Sequence, residues 1–124
     1  MTCKLHTQTI VTFVLALTLS TGAFAHATLE RSTPSVGSTV SASPTEIRVQ
    51  FSEPVDLASS SVSVSAESGA AVATGGVSAD SGDRRTLVVR LAQRLAPGAY
   101  KVRWRAVSPD AHKSQGSFVF QVRP

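Results

Sequence analysis

Sulfur is nearly absent from this chain. Its 124 residues contain one cysteine, Cys3, and one methionine, Met1. A single thiol excludes an internal disulfide framework and every multi-cysteine zinc or iron–sulfur site. Aromatic residues are also few, at 6% of the chain with one Trp. Charge is modest, with 12 Lys and Arg against 8 Asp and Glu for a formal +4, and such an excess means little unless it clusters. Eight Gly and six Pro are ordinary counts, so the chain is neither collagen-like nor broadly disordered. The length suggests a single domain, without room for a large multidomain enzyme.

The first residues have the layout of a secretory signal peptide. Lys4 supplies early positive charge, and an uncharged, largely apolar run extends from Ile10 to Leu19. That run is about half of the roughly 20 apolar residues needed to span a bilayer. Ala23-Phe24-Ala25 then places small residues where a signal peptidase requires them. The expected division is a cleaved leader, residues 1–25, and a mature domain, residues 26–124. The mature chain has neither cysteine nor methionine, so it offers no thiolate or thioether to a soft metal ion. Its first residue is His26, and the terminus is expected to lie outside the core.

Period-2 alternation dominates the mature chain. Apolar residues recur at Ile47, Val49 and Phe51, at Val62 and Val64, and at Leu87, Val89 and Leu91. The same pattern continues at Tyr100, Val102, Trp104 and Ala106, and at Phe118, Phe120 and Val122. Each set reads as a half-buried strand, and a shorter edge piece is expected around Thr28–Arg31. No window carries a helical apolar stripe, and the separators, such as Pro97-Gly98, are turn-rich. The fold class is therefore all-β, an immunoglobulin-like Greek-key sandwich or barrel of about seven strands. Pro97-Gly98 with Tyr100 close behind suggests a tyrosine corner. The weakly patterned stretch from Ala66 to Asp83 reads as a long loop with at most one short strand, and the last long strand is expected to begin at Ser117.

Two features do not carry a function at this level. Lys101, Arg103 and Arg105 line the outer face of one strand, and outward alternating charges usually form a solvated face that discourages edge aggregation. No aromatic is interleaved among them, so nucleic-acid binding is not expected, and Trp104 reads as core. Ser59-Ser60-Ser61 has no His at motif spacing and no claim to be a nucleophile.

The histidines carry the chemistry. An N-terminal His26 offers its α-amine and its imidazole Nδ1, which close a six-membered chelate ring on a metal. The amine titrates ordinarily at about 7.7–8.0, so the metal must displace a proton near neutrality. Cu(II), at the top of the Irving–Williams order, does this best among divalent first-row ions. Asp110 and His112 lie two residues apart on a loop, and in an extended segment their side chains would share one side. One carboxylate oxygen and one imidazole could complete the site begun by His26, a set suited to tetragonal Cu(II) or Ni(II). Taken separately, each half has a plainer reading: His26 as a residue that merely borders a cleavage site, and Asp110-Ala111-His112 as a hydrogen-bonded turn.

The mature chain resembles the CopC family of periplasmic copper-resistance proteins over essentially its whole length. The resemblance rests on His26, Ser32-Thr33-Pro34 with Gly37, and Phe51-Ser52-Glu53-Pro54. It continues through Leu95 to Tyr100, Val102, Trp104 to Ser108, Asp110, His112, Gly116 and Phe118. It implies a Greek-key barrel with a Cu(II) site made by the His26 amine and imidazole, Asp110 and His112, with Glu53 as an outer candidate. It also implies a periplasmic monomer and an inner-membrane copper transporter of the CopD type as partner. Some members carry a Met-rich loop for Cu(I), whereas Val55–Asp83 contains neither Met nor His here. The expectation is a Cu(II)-only binding protein with no catalytic residues, no nucleic-acid partner and no membrane span after processing. Two rivals differ in kind. A copper monooxygenase with an N-terminal His needs an aromatic substrate platform and an open position that Asp110 would occupy. A metal-free immunoglobulin-like interaction module would be indifferent to copper.

Overall fold

Alternation along each long strand sorts its side chains between a core and a wet face, and the core assembles from the apolar set. A computed structural model describes residues 27–124; the expected leader, residues 1–25, and His26 lie outside the described residues. Eight strands occur in chain order: β1 (Leu29–Thr33), β2 (Thr39–Val40), β3 (Glu46–Phe51), β4 (Ser61–Ala66), β5 (Thr74–Asp80), β6 (Asp83–Leu91), β7 (Gly98–Val107) and β8 (Lys113–Val122). They form two four-stranded sheets, β1-β3-β6-β5 and β2-β8-β7-β4. Among the described residues no helix is long and apolar enough to cross a membrane.

The two inner faces meet in one cluster. Ile47, Val49, Phe51, Leu87 and Val89 come from the first sheet, and Val62, Val64, Val102, Ala106, Phe118, Phe120 and Val122 from the second. Full burial of each Val, Leu, Ile or Phe contributes roughly 1.5–3 kcal/mol. The tyrosine corner is present: the Tyr100 hydroxyl donates to the Ala96 carbonyl at 2.6 Å, and the ring stacks on Phe120 at 5.7 Å. Trp104 is half-buried. It packs edge-on against Phe51 at 5.1 Å and over Gly116, where a Cβ would stand 2.6 Å from its ring.

Eight strands among the described residues agree with the expected about seven, and two-residue β2 pairs parallel to β8 through Thr39↔Gln121 and Val40↔Val122. The structure corrects other expectations. The stretch expected to be a long loop with one short strand contains β5, longer than expected at seven residues and an edge strand on β6 whose register is broken twice. β8 begins at Lys113 rather than Ser117, so the β7–β8 loop is shorter than expected. The outer face of the first sheet is knitted by charge pairs. Arg48 meets Asp80 at 2.6 Å and Glu46 at 3.3 Å, and Gln50 donates to Asp83 at 3.0 Å. Asp83 accepts from the Arg85 backbone N–H and from Gln50, and these bonds hold its carboxyl down to about 2.

Candidate metal centre

β7 and β8 pair from Gly98↔Val122 up to Val107↔Lys113, which leaves Ser108–His112 as a tight connection. Ser108 opens a turn with Pro109 second, the favoured place for a residue whose φ is preset near −65°. The Ala111 N–H donates to the Ser108 carbonyl at 2.8 Å, and the Ser108 N–H donates to the His112 carbonyl at 2.9 Å. Ala111 takes φ 68°, in the left-handed region. Glycine is the usual occupant there, and an L-residue pays roughly 1–2 kcal/mol.

That turn brings the two expected ligands together. His112 Nδ1 lies 2.8 Å from Asp110 Oδ2, with the His side chain 29% exposed and the Asp 66% exposed. The Ser108 hydroxyl donates to Asp110 Oδ1, and the His112 N–H donates to Ser108 Oγ at 3.2 Å. The Ser108 hydroxyl first, then His112, holds the Asp110 carboxyl below its ordinary range. The two side chains are near one another, in the hydrogen-bonded turn that is the plainer reading of this segment. The segment is a turn with a left-handed residue between the two side chains, not an extended run with both on one side. Ser108, which positions the carboxylate, carried no assigned role in the sequence; its signal was the Ser-Pro pair that opens turns.

The chain enters the fold beside this loop. Ala27 is 1% exposed and belongs to the core, while the expected terminus, His26, lies outside the described residues. Its carbonyl accepts from Ser114 Oγ at 2.5 Å, two residues beyond His112. Thr28 is held by Ser52 through N–H to Oγ at 2.9 Å and through Ser52 N–H to the Thr28 carbonyl at 2.8 Å. Glu53, the outer candidate, is next to Ser52 in the chain and is half-buried. The base of the hairpin is tied by the Val107 N–H to Ser60 Oγ at 3.0 Å, so Ser60 acts as a structural acceptor. Among the described residues, no group of three or more His, Cys, Asp or Glu is placed to hold a metal ion. Asp110 and His112 supply one oxygen and one imidazole; a closed site needs further donors, and His26, joined directly to Ala27, lies outside the described residues.

The family model described as the CopC domain matches residues 29–123. The chain belongs to the CopC family. It is 34% identical over 122 residues to Copper resistance protein C of Pseudomonas syringae pv. tomato, covering 94% of this chain and 96% of that protein. The solved CopC from Methylosinus trichosporium OB3b superposes with a TM-score of 0.74 at 32% identity, covering 80% of this chain and 95% of that one. PcoC from Escherichia coli, a methionine-rich copper resistance protein, gives a TM-score of 0.74 at 33% identity, covering 80% of this chain and all of that one. The CopC match includes Glu53, Asp110 and His112 and starts after His26. This CopC-family chain is not methionine-rich, with Met only at its first position.

Proposed function

We propose that this CopC-family protein binds Cu(II) in the periplasm and serves copper resistance, by sequestering the ion or passing it to a membrane transporter of the CopD type. The ligands are the His26 amine and imidazole, Asp110 and His112, assembled once cleavage between Ala25 and His26 frees the amine. Copper is cargo in this reading, and the protein is a binder rather than an enzyme, acting as a monomer. The observation that carries it is the Asp110–His112 pair at 2.8 Å beside Ala27, whose carbonyl is held by Ser114.

The donor set decides the ion. Nitrogen and carboxylate oxygen are borderline or hard, and residues 26–124 contain no Cys or Met, so nothing there favours Cu(I) over Cu(II). The two His26 nitrogens chelate through one residue, and Asp110 and His112 arrive preorganised on a turn. The methionine-rich character of PcoC has no counterpart here. The test is a Cu(II) competition titration of protein beginning at His26 against protein carrying one extra residue before it. The extension turns the amine into an amide, a far poorer ligand, and moves the new amine out of the six-membered ring. Affinity should fall by orders of magnitude while metal-free thermal unfolding stays the same. His112→Ala should weaken binding and leave the His26 chelate partly working. Equal affinity for both forms would remove the amine from the site.

A further inference from the structure

The two sheets differ in charge balance: the first mixes acidic and basic side chains, including Arg31, Arg84 and Arg90 outside any ion pair among the described residues. On the first, Arg48 is paired with Asp80 and Glu46, and Arg85 with Asp83. The second, β2-β8-β7-β4, contains no Asp or Glu at all, yet it carries Lys101, Arg103, Arg105 and Lys113. All four occupy outward positions, alternating with Tyr100, Val102, Trp104 and Ala106 on β7 and with Phe118, Phe120 and Val122 on β8. Among the described residues, none of them has a carboxylate within ion-pair distance. Glu67, just past β4, lines the same shallow depression as Lys101 and Arg103 without pairing with either.

The row has no role as an edge guard. Charges on a strand discourage aggregation when that strand is an edge, but β7 is interior, hydrogen-bonded to β8 on one side and β4 on the other. The register flanks Arg103 and Arg105 with polar groups on both sides and Lys101 with Ser65 and the apolar Val119. Arg105 lies between Ser61 and Gln115, Arg103 between Ser63 and Ser117, and Lys101 between Ser65 and Val119. Alternate residues on a strand stand about 6.5–7 Å apart, so the three β7 cations rise from regularly spaced backbone positions in one row. Its upper end reaches the metal hairpin, because Lys113 is the cross-strand partner of Val107.

We propose that the outer face of the second sheet docks an acidic surface of a protein partner. Arginine matches carboxylates in a bidentate way, and the flanking hydroxyls and amide add hydrogen bonds of the range that side-chain carboxylates accept. A membrane surface fits less well: polybasic lipid-binding segments carry clusters of roughly 4–8 cations, often on flexible or amphipathic segments. Here the cations are spread along a rigid strand, and Val119 is the one large apolar side chain exposed on the face, at 43%. Complementary charge would steer the encounter and fix orientation, setting the Asp110–His112 end alongside the partner. That last consequence rests on the copper-delivery reading, whereas the docking face rests on the sheet alone.

The test titrates a short fluorescein-labelled peptide of alternating Asp and Glu, at low salt, with three forms of the full mature chain. One is unchanged, and one carries Lys101→Gln, Arg103→Gln and Arg105→Gln. The third carries Arg84→Gln, Arg90→Gln and Arg94→Gln, which remove the same charge from exposed positions off this sheet. The second-sheet variant should lose roughly ten- to a hundredfold in affinity, and the control should lose little. Arg103→Gln alone, at the centre of the row, should lose roughly two- to fivefold, which covers the case of a triple variant that does not fold. Equal losses in both triple variants would mean net charge alone is sensed, and would overturn the proposal. So would a dependence on the row seen with phosphatidylglycerol vesicles but not with the peptide, which would assign the face to a membrane. Cu(II) titration of the same variants separates the two readings. Unaltered copper binding in a second-sheet variant that has lost peptide binding supports the docking face, and intact peptide binding in that variant overturns the docking face whatever its copper binding.

Discussion

Gly116→Ala should destabilise the protein, although glycine inside a strand is ordinarily the weaker residue by roughly 0.5–1 kcal/mol. The expected reversal of sign comes from Trp104, the cross-strand partner of Gly116. A Cβ at this position would lie 2.6 Å from Cζ2, 2.8 Å from Cε2 and 3.1 Å from Nε1 of the indole. Real Cβ contacts are not that short, so the ring must move. Its other side packs edge-on against the fully buried Phe51, which leaves rotation toward solvent as the open path. Overpacking of this kind costs about 1–3 kcal/mol, and for a domain of this size that lowers Tm by roughly 5–20 °C. Trp104 is the sole tryptophan, so its emission should shift to longer wavelength in the folded variant. Urea unfolding followed by circular dichroism gives the stability. In a Trp104→Leu background the clash is gone, and Gly116→Ala should then cost less than about 0.5 kcal/mol, a coupling of the kind expected between contacting residues. An equal cost in both backgrounds, or no cost in either, would refute the reasoning.

Tyr100→Phe removes the hydroxyl bonded to the Ala96 carbonyl at 2.6 Å and keeps the ring stack on Phe120. Because Ala96 is exposed its carbonyl can rehydrate, so thermal unfolding should report a loss of about 0.5–1.5 kcal/mol rather than more. Ala111→Gly relieves the left-handed residue at φ 68°. With roughly 1–2 kcal/mol recovered and roughly 0.4–1 kcal/mol lost to a freer unfolded chain, chemical denaturation should show a gain of up to about 1.6 kcal/mol; a clear loss would contradict the turn geometry. Asp83 is held down to about 2 from an ordinary 3.8, so its contribution is complete above the ordinary value and disappears as pH falls from there toward about 2. Asp83→Asn should therefore be less stable at neutral pH and lose less on acidification across that window, as read from unfolding midpoints.

The long strands were legible because their apolar residues alternate: β3 reads half-buried, buried, half-buried along its length, whereas β6 departs from the pattern by burying Thr86 through Val89 in succession. β5 was illegible for a physical reason. As an edge strand of small and polar residues, Thr74-Gly75-Gly76-Val77-Ser78-Ala79-Asp80, it buries none of them fully, so no period of two is imposed. β2 is too short to carry a period, and parallel pairing with β8 leaves no local turn signal. The start of β8 hid in Lys113-Ser114-Gln115-Gly116, four residues without a large apolar side chain. Gly116 is there to accommodate Trp104, and Ser114 bonds Ala27 across the sheet edge. The nearness of Asp110 and His112 was anticipated, but from extended geometry; the cause is the Ser108-Pro109 turn with a left-handed alanine, which lacks the glycine that would have announced it. The cationic row was visible in the sequence and read as edge protection, and only the strand order places it on an interior strand.

Electron paramagnetic resonance of protein beginning at His26, with one equivalent of Cu(II), reads the proposed ligand set atom by atom. A single tetragonal Cu(II) species is expected, with superhyperfine structure from three nitrogens, two from His26 and one from His112. His112→Ala should lose one nitrogen, and a one-residue extension before His26 should lose the amine. A spectrum indifferent to both changes, or one with oxygen ligands alone, would contradict the proposed copper site.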